Sequence, residues 1–187
     1  MASRALPSPE VLRQLLRYEP DTGKLFWLER PPSAFVGSAK ATAEMQARRW
    51  NTRNSGKEAF TFVNAQGYMR GGIFGVLHLA HRVIWAIEHG SWPPNQIDHI
   101  NGDGLDNRLA NLRAATSSEN CMNRKPPSTN TSGVKGVSWH RAHGVWHARI
   151  KVSGKNKHIG YFADLHLAAE AYAAASNEIH GQYGRLR

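Results

Sequence analysis

The most constraining feature of the sequence is the segment of residues 98–120, DHINGDGLDNRLANLRAATSSEN. It opens with an adjacent acid and histidine, Asp98 and His99, and continues as a polar, glycine-rich loop. Residues 109–114 can return as a second strand after this loop. The segment therefore predicts two short strands joined by a loop that carries most of the polar side chains.

A helix is predicted directly after the second strand. Thr116 is a suitable N-cap, and Glu119 stands three residues later, which is the spacing of a capping box. Asn120 would then lie in the first turn of this helix. Strand, loop, strand and helix bring the two ends of the segment together around a small cleft, so we expect the Asp98 carboxylate and the Asn120 amide oxygen to meet beside His99.

Such a cleft has the groups needed for metal-assisted hydrolysis. Two oxygen ligands suit a hard cation such as Mg²⁺ or Mn²⁺, which keeps open positions for water and a phosphate. A neutral imidazole can take a proton from water near physiological pH. Metal, base and a basic surface together indicate phosphodiester hydrolysis.

Other interpretations of these residues remain open. An Asp-His pair is more often structural than catalytic. The run of residues 101–106 could be a Ca²⁺ loop, although it lacks the ligand spacing of an EF-hand. A zinc site would need more than the single Cys121 or an ordered histidine pair, and none is spaced for it.

The charge of the chain favours a polyanionic partner. Lys and Arg number 24 against 14 Asp and Glu, which gives a net charge of +10 and an isoelectric point near 10.2. Residues 121–187 hold ten Lys and Arg against three acids, whereas residues 1–120 hold fourteen against eleven. Nucleic acid fits this surplus better than a membrane, because no basic amphipathic helix is evident. A merely soluble basic protein remains the alternative.

Several classes of protein are excluded by what the sequence lacks. No apolar run approaches the roughly 18–20 residues that span a bilayer, and the first residues contain no secretory signal. A single cysteine cannot form an internal disulfide, which suits a reducing compartment. We therefore expect a cytoplasmic protein with no membrane partner.

Periodicity and turn residues predict the elements before the central segment. Ser8 can cap a helix that reaches about Tyr18, and residues 24–28 form a strand. No function is apparent for residues 30–58, although residues 41–49 could be helical. The other predicted elements are a hairpin of residues 68–73 and 76–79 and a helix over residues 80–89 that ends at Gly90.

The C-terminal region predicts a small module of its own. Residues 125–131 are a polar, proline-rich linker. Three β-prone runs follow, at residues 134–139, 146–152 and 157–162, separated by glycine-bearing turns. Asp164 can cap a last helix that ends at Gly181. One helix packed on three strands is a small α+β unit.

The central segment resembles the ββα-metal motif of phage and intron HNH endonucleases, the homing type. The matching stretches are DHINGD at residues 98–103, DNRLANLR at 106–113 and SEN at 118–120, preceded by AHRVIW at 80–85. The resemblance covers roughly residues 60–125. It implies one divalent ion per active site, Mg²⁺ or Mn²⁺, and double-stranded DNA as the substrate.

The same resemblance implies a role for four residues. Asp98 and Asn120 would bind the metal, His99 would be the general base, and Asn111 would brace the loop by hydrogen bonding. Asn120 stands where many members of the family have histidine. Because an amide is the weaker ligand, tight binding of a transition metal is not expected.

Residues 132–187 are similar to a second family, the APETALA2-type DNA-binding domain. The similarity rests on GVKGVSW at residues 133–139, WHARI at 146–150 and IGYF at 159–162, ahead of an alanine-rich helix. Ser132 and Val137 depart from that family, so its base preference does not transfer. Trp146, Tyr161 and Phe162 are expected in the core. The residues predicted to contact DNA are Lys135, Trp139, Arg149, Lys151 and His158, together with Arg113 of the central segment.

The sequence therefore predicts an α+β protein with four parts: a β-rich N-terminal extension (1–59), an HNH endonuclease domain (60–125), a linker (126–132) and an APETALA2-type domain (133–187). We expect a monomeric, phage-encoded endonuclease that nicks DNA and has no small-molecule substrate. A non-catalytic DNA-binding regulator with an inert HNH scaffold is the rival hypothesis, and a nuclease directed at RNA is a third.

Overall fold

A computed structural model describes residues 5–186 as a mixed α/β protein with five α-helices and four small β-sheets in that range. The chain divides into two compact units, the first ending at Ala114 and the second beginning at Ala115. No helix among the described residues is both long enough and apolar enough to cross a bilayer.

The first unit begins with helix α1, Pro9–Leu15, whose N-cap is Ser8 as predicted. The prediction that this helix reaches Tyr18 is wrong. Strand β1, Leu16–Glu19, begins at the next residue and pairs antiparallel with β2, Lys24–Trp27. Buried and exposed side chains alternate along β1, as they do in a strand with one buried face. Cross-strand pairing with β2 therefore determines the structure of this segment, although its residues also fit a helical period.

A longer helix than predicted fills the stretch for which the sequence suggested no function. After a short 3₁₀ turn, helix α2 covers Ala43–Asn54, with the Thr42 hydroxyl accepting the Met45 N–H at its N-cap. Strand β3, Glu58–Ala59, then returns to the first sheet, whose order is β1-β2-β3. The segment between β2 and β3, which contains α2, therefore begins and ends at the same sheet.

The predicted hairpin and the helix after it are confirmed. Strands β4, Phe62–Val63, β5, Met69–Ile73, and β6, Val76–Leu79, form the second sheet. The two-residue turn between β5 and β6 has a positive φ at both Phe74 and Gly75, which is the geometry of a type I′ hairpin turn. Helix α3, Ala80–His89, follows directly, and its C-cap, Gly90, has a φ of 68°.

One apolar core holds the first unit together. Helix α3 contributes its fully buried Val83 and Ile84, which pack with Leu12 of α1, Leu25 of β2 and Ile73 of β5. Each such side chain contributes about 1.5–3 kcal/mol when fully buried. Residues before and after position 59 share this core, so the N-terminal segment is an integral part of the first unit.

The central segment has the predicted order of elements with one difference. Strand β7, Gln96–His99, pairs with β8, Leu112–Ala115, in a two-stranded sheet. The first three residues of the predicted second strand form a 3₁₀ turn instead, Leu109–Asn111. Helix α4, Ser117–Asn123, starts from the predicted capping box, in which the Thr116 and Glu119 side chains each accept the other residue's backbone N–H.

The C-terminal part of the second unit is the predicted sheet with one helix. Strands β9, Val137–His140, β10, Val145–Val152, and β11, Lys155–Phe162, form an antiparallel sheet in the order β11-β10-β9. Helix α5, Leu165–His180, is capped by Asp164 and packs on this sheet. The predicted first strand began too early, because residues 134–136 are not in the sheet. The core contains Val137, Ala148, Ile150, Ala168 and Tyr172.

Candidate active site

Asp98 and His99 lie at the end of β7 and are both almost fully buried, each with 4% of its surface exposed. The Asp98 carboxylate is held by Arg113 of the neighbouring strand β8. Arg113 donates from Nε to Oδ2 at 2.8 Å, and its Nη2 lies 2.7 Å from the same oxygen. Because both partners are shielded from water, this ion pair fixes the orientation of the carboxylate far better than a surface pair would.

Aromatic rings enclose the imidazole of His99. The ring of Tyr68 stacks on it with centroids 5.7 Å apart and an interplanar angle of 25°. The ring of His81, on α3, meets it edge-on at 5.0 Å. Burial, with smaller contributions from the charges of His99 and Arg82, lowers the pKa of His81 to about 3. His81 is therefore a neutral packing partner at physiological pH.

A hydrogen bond that His99 donates to Asn107 selects the tautomer of His99. The Nε2 atom of His99 lies 3.1 Å from Oδ1 of Asn107, and Asn107 is itself only 1% exposed. Asn107 Nδ2 faces away, toward the carbonyl of Leu105, so Oδ1 is the atom that meets the imidazole. An amide oxygen only accepts, which means that Nε2 carries the proton. In neutral His99 the lone pair is then on Nδ1, the nitrogen that can act as a base.

The loop after β7 is braced by side chains rather than by regular structure. Asn111 Oδ1 accepts the backbone N–H of Asn101 at 2.9 Å, and Asn111 Nδ2 donates to Asn101 Oδ1 and to the carbonyl of Asp106. Asn101 Nδ2 in turn donates to the carboxylate of Asp106 at 2.8 Å. These bonds hold the loop that leads from His99 to Asn107.

A second ion pair closes this brace. Arg108 donates to both carboxylate oxygens of Asp106, from Nε at 2.8 Å and from Nη2 at 2.6 Å. These hydrogen bonds from Arg108 are the largest cause of a pKa of about 2 for Asp106. Asp106 is therefore ionised, and both of its oxygens already have partners, so it serves the loop rather than a metal ion.

The N-terminal segment also contacts the loop. The hydroxyl of Tyr18, on β1, donates to the carbonyl of Asn107 at 3.1 Å and accepts the N–H of Leu109 at 2.8 Å. The β1–β2 turn approaches the same place, where a Cβ on Gly23 would come within 2.6 Å of the backbone nitrogen of Arg108. Residues before position 60 thus position the loop that holds Asn107 against His99.

Asn120, the second predicted metal ligand, is on α4 and belongs to the second unit. The donor types fit a hard divalent cation, since Asp98 offers a carboxylate oxygen and Asn120 an amide oxygen. The described residues contain no cluster of three or more His, Cys, Asp or Glu arranged around a metal position.

Three of the predicted DNA contacts share the face of the C-terminal sheet that α5 leaves open. Arg149 and Lys151 alternate along β10 with the buried Ala148 and Ile150, so they point away from the helix. His158 of β11 is the cross-strand partner of Arg149. We call this surface the open sheet face, defined by His147, Arg149, Lys151, His158 and Tyr161.

The open sheet face is rich in rings as well as charge. His147 Nε2 lies 2.9 Å from His158 Nδ1, and burial, followed by the charges of His158, Arg149 and His140, lowers the pKa of His147. The prediction that Tyr161 is a core residue is wrong. Tyr161 is 52% exposed and lies against His147 with ring centroids 4.8 Å apart, because its register places it opposite His147.

The other predicted DNA contacts lie elsewhere. The Lys135 ammonium donates to the carbonyls of Met122 and Arg124 at the end of α4, and burial lowers its pKa. Trp139 is 45% exposed but pairs with Trp146, whose ring it meets edge-on at 5.1 Å on the side of the sheet that packs on α5. Arg113 is the partner of Asp98 in the first unit.

Comparison with known proteins identifies the family. The sequence profile of the HNH endonuclease family matches residues 78–122, from β6 to α4. Protein 3.8 of Escherichia phage T7 is 37% identical over 108 residues, which is 57% of this chain and 88% of the phage protein. The chain belongs to the family of Protein 3.8 and contains an HNH endonuclease domain. No solved structure matches the chain.

The matched HNH region contains every residue of the first-unit site that the sequence singled out, as well as Asn120. It also contains Asn107, whose contact with His99 the sequence reasoning did not predict. Tyr68 and Tyr18 were missed too, and both lie outside the matched region. The only sequence signal for Asn107 was its place in the recognised DNRLANLR run, which did not distinguish it from the other loop asparagines.

Proposed function

We propose that this protein is a metal-dependent endonuclease that hydrolyses phosphodiester bonds in double-stranded DNA and nicks one strand per binding event. The observation that carries the proposal is the contact between His99 and Asn107. A general base needs a fixed tautomer and a fixed position, and a buried amide that only accepts provides both. The HNH family match supports the same reaction class.

Each residue of the site has a role in this proposal. His99 Nδ1 takes the proton from the attacking water, and Asn107 holds the ring from the opposite nitrogen. Asp98 and Asn120 would hold one Mg²⁺ or Mn²⁺ ion, with Arg113 orienting the carboxylate. Such an ion would supply positive charge that stabilises the charge developing during phosphodiester hydrolysis. Asn111 keeps the loop in place.

The C-terminal module contributes DNA affinity and some site preference. Arg149, Lys151 and His158 lie together on the open sheet face, where neighbouring cationic side chains can contact phosphates. The three-stranded sheet with one helix has the architecture expected of an APETALA2-type domain, which supports that assignment. We further propose that the protein acts as a monomer in the cytoplasm of a phage-infected cell and uses no small-molecule substrate.

Plasmid nicking tests the proposal. The full-length protein should convert supercoiled plasmid to the open circular form with Mg²⁺ or Mn²⁺, and a chelator should abolish the conversion. His99→Ala should lower the rate by about 10²–10⁴-fold, the usual contribution of a general base. His166→Ala, which removes a largely exposed histidine of α5, is the matched control and should nick at the wild-type rate.

Two results would count against the enzyme. Full activity after exhaustive chelation would remove the metal mechanism, and wild-type nicking by His99→Ala would remove the assigned base. A protein that binds duplex DNA but never nicks it would support the rival hypothesis, a non-catalytic DNA-binding regulator. Cleavage of RNA in preference to DNA would reassign the substrate.

A further inference from the structure

Helix α2 has one side fixed to the first unit and one side in solvent. Its inner side is anchored by the buried Ala47 and by Trp50, which meets Trp27 edge-on with centroids 5.7 Å apart. Asn51 adds two hydrogen bonds to the backbone of Arg30, accepting from its N–H at 2.9 Å and donating to its carbonyl at 3.0 Å. These contacts set the rotation of the helix about its axis.

The outer side of α2 carries three arginines that have no carboxylate partner among the described residues. Arg48, Arg49 and Arg53 are all exposed and, with Met45 and Thr52, line a shallow surface depression. The spacing of these five residues, at intervals of one, three or four, places them on one helical face. We call Arg48, Arg49 and Arg53 the α2 arginine face.

Several other cations of the first unit have carboxylate partners. Arg17 pairs with Glu19, and Lys24 pairs with Glu58. Arg108 and Arg113 are the partners of carboxylates at the site. The α2 arginine face thus concentrates unpaired charge on one rigid element, whereas ordinary protein surfaces mix charges of both signs.

The distribution of charge along the sequence also singles out the segment that contains α2. Residues 30–58 hold six Lys and Arg against two acids, a net charge of +4. The remainder of residues 1–120 holds eight against nine, a net charge of −1. The positive surplus of this half of the chain therefore lies entirely in the stretch that contains α2.

The chemistry of the face favours the phosphates of a duplex. Guanidinium groups bind phosphate oxygens in bidentate fashion, and residues 48 and 53 are separated by a rise of roughly 7.5 Å along the helix. A membrane surface is a poorer fit, because Trp50 of α2 packs on Trp27 and Phe35, and Met45 is then the one large apolar side chain that residues 43–54 expose. Duplex DNA carries one negative charge per roughly 1.7 Å of its axis, which matches a dense row of cations.

We propose that the α2 arginine face binds the phosphate backbone of duplex DNA. The first unit then has a DNA-binding surface of its own, separate from that of the C-terminal module. The inference rests on the proposed function only in taking DNA as the partner. The face positions the duplex without reading its bases, since phosphate contacts carry no sequence information.

Salt-dependent binding tests this proposal on the full-length chain. Binding to a fluorescent 24-base-pair duplex is measured by anisotropy between about 50 and 300 mM salt, with a chelator present so that no cleavage occurs. Arg48→Gln/Arg49→Gln should flatten the plot of log affinity against log salt by about 1.8, at roughly 0.9 per phosphate, and weaken binding by about 10–100-fold near 0.1 M salt. Arg48→Lys/Arg49→Lys should keep most of the wild-type slope.

The matched control removes the same charge from the same unit. Arg17→Gln/Lys24→Gln deletes two cations that are already paired with Glu19 and Glu58, so it should leave the slope nearly unchanged. The proposal is overturned if both double variants lower the slope equally, if Arg48→Gln/Arg49→Gln keeps the wild-type slope, or if the wild type prefers a duplex RNA of the same sequence. Failure to nick plasmid would count against the endonuclease alone, because this comparison needs no cleavage.

Discussion

Asn107→Asp tests whether the residue orients His99. The replacement is nearly isosteric and puts a carboxylate oxygen where the amide oxygen now lies, 3.1 Å from Nε2 of His99. The replacement also removes two long hydrogen bonds that Asn107 Nδ2 donates, to the carbonyl of Leu105 at 3.4 Å and to the sulfur of Met69 at 3.6 Å. The backbone carbonyl that Tyr18 holds is unchanged. The main effect is therefore one negative charge beside the proposed base.

That charge should move the pH dependence of nicking in a definite direction. A carboxylate within 4–6 Å of an imidazole favours its protonated form. A general base has to be neutral to accept a proton from water, so the acidic limb of the kcat/KM profile should move to higher pH. At a fixed pH on this limb, the rate falls about tenfold each time the limb moves up by about one in pH. On the alkaline plateau the rate stays close to that of the wild type.

Asn107→Ala provides the comparison. It removes the hydrogen bond without adding charge, so kcat should fall by about 10–100-fold, as is usual when the partner of an active-site histidine is lost, and the acidic limb should stay in place. Nicking is followed from pH 5 to 9, and near-UV circular dichroism checks that both variants are folded. Wild-type pH profiles and rates in both variants would refute the orienting role of Asn107.

Two further predictions concern stability. Burial holds the pKa of His81 near 3, below its ordinary value of 6.5, so the unfolded chain binds this proton more readily than the folded chain. The contribution of His81 to the free energy of unfolding should therefore be fully present above pH 6.5. Below that pH, the free energy of unfolding should fall by about 1.4 kcal/mol for each step of one in pH, down to about pH 3. Urea unfolding at pH 7, 6 and 5 should show a smaller loss in His81→Phe, and equal losses would contradict the assignment. Lys135→Met should cost about 1–3 kcal/mol, because the carbonyls of Met122 and Arg124 lose their donor. Thermal melting measures this cost, and an equal drop in Lys155→Met, at an exposed strand end, would assign it to lost surface charge instead.

Elements with strong local signals could be predicted from the sequence. Helix α3 has an apolar stripe and a glycine at its end, and α4 has a capping box, so neither depends on distant partners for its bounds. Strand β1 could not be predicted in this way. Its residues also fit the period of the preceding helix, and its pairing with β2 decides the outcome. The end of α2 likewise depends on Trp27 and Arg30, which lie far away in the sequence.

The sequence also allowed only part of the candidate site to be predicted. Asp98, His99 and Asn111 belong to a recognisable run, and the structure gives Asn111 hydrogen bonds that brace the loop. Which asparagine of that loop meets the imidazole is a matter of three-dimensional packing, since Asn101 and Asn107 are equivalent as residue types. The sequence could not separate them, whereas the hydrogen bond between His99 and Asn107 does.

The cationic side chains of this protein fall into two groups, those that bind an acceptor within the fold and those that do not. Arg113 and Arg108 bind carboxylates and Lys135 binds backbone carbonyls, so their charge is used inside the fold. The α2 arginine face, like Arg149 and Lys151 of the open sheet face, has no ion-pair partner among residues 5–186. Only cations of this second kind can release counterions when a duplex binds, because a paired cation is already neutralised. The salt dependence of DNA binding should therefore follow these exposed residues and not the formal charge of +10.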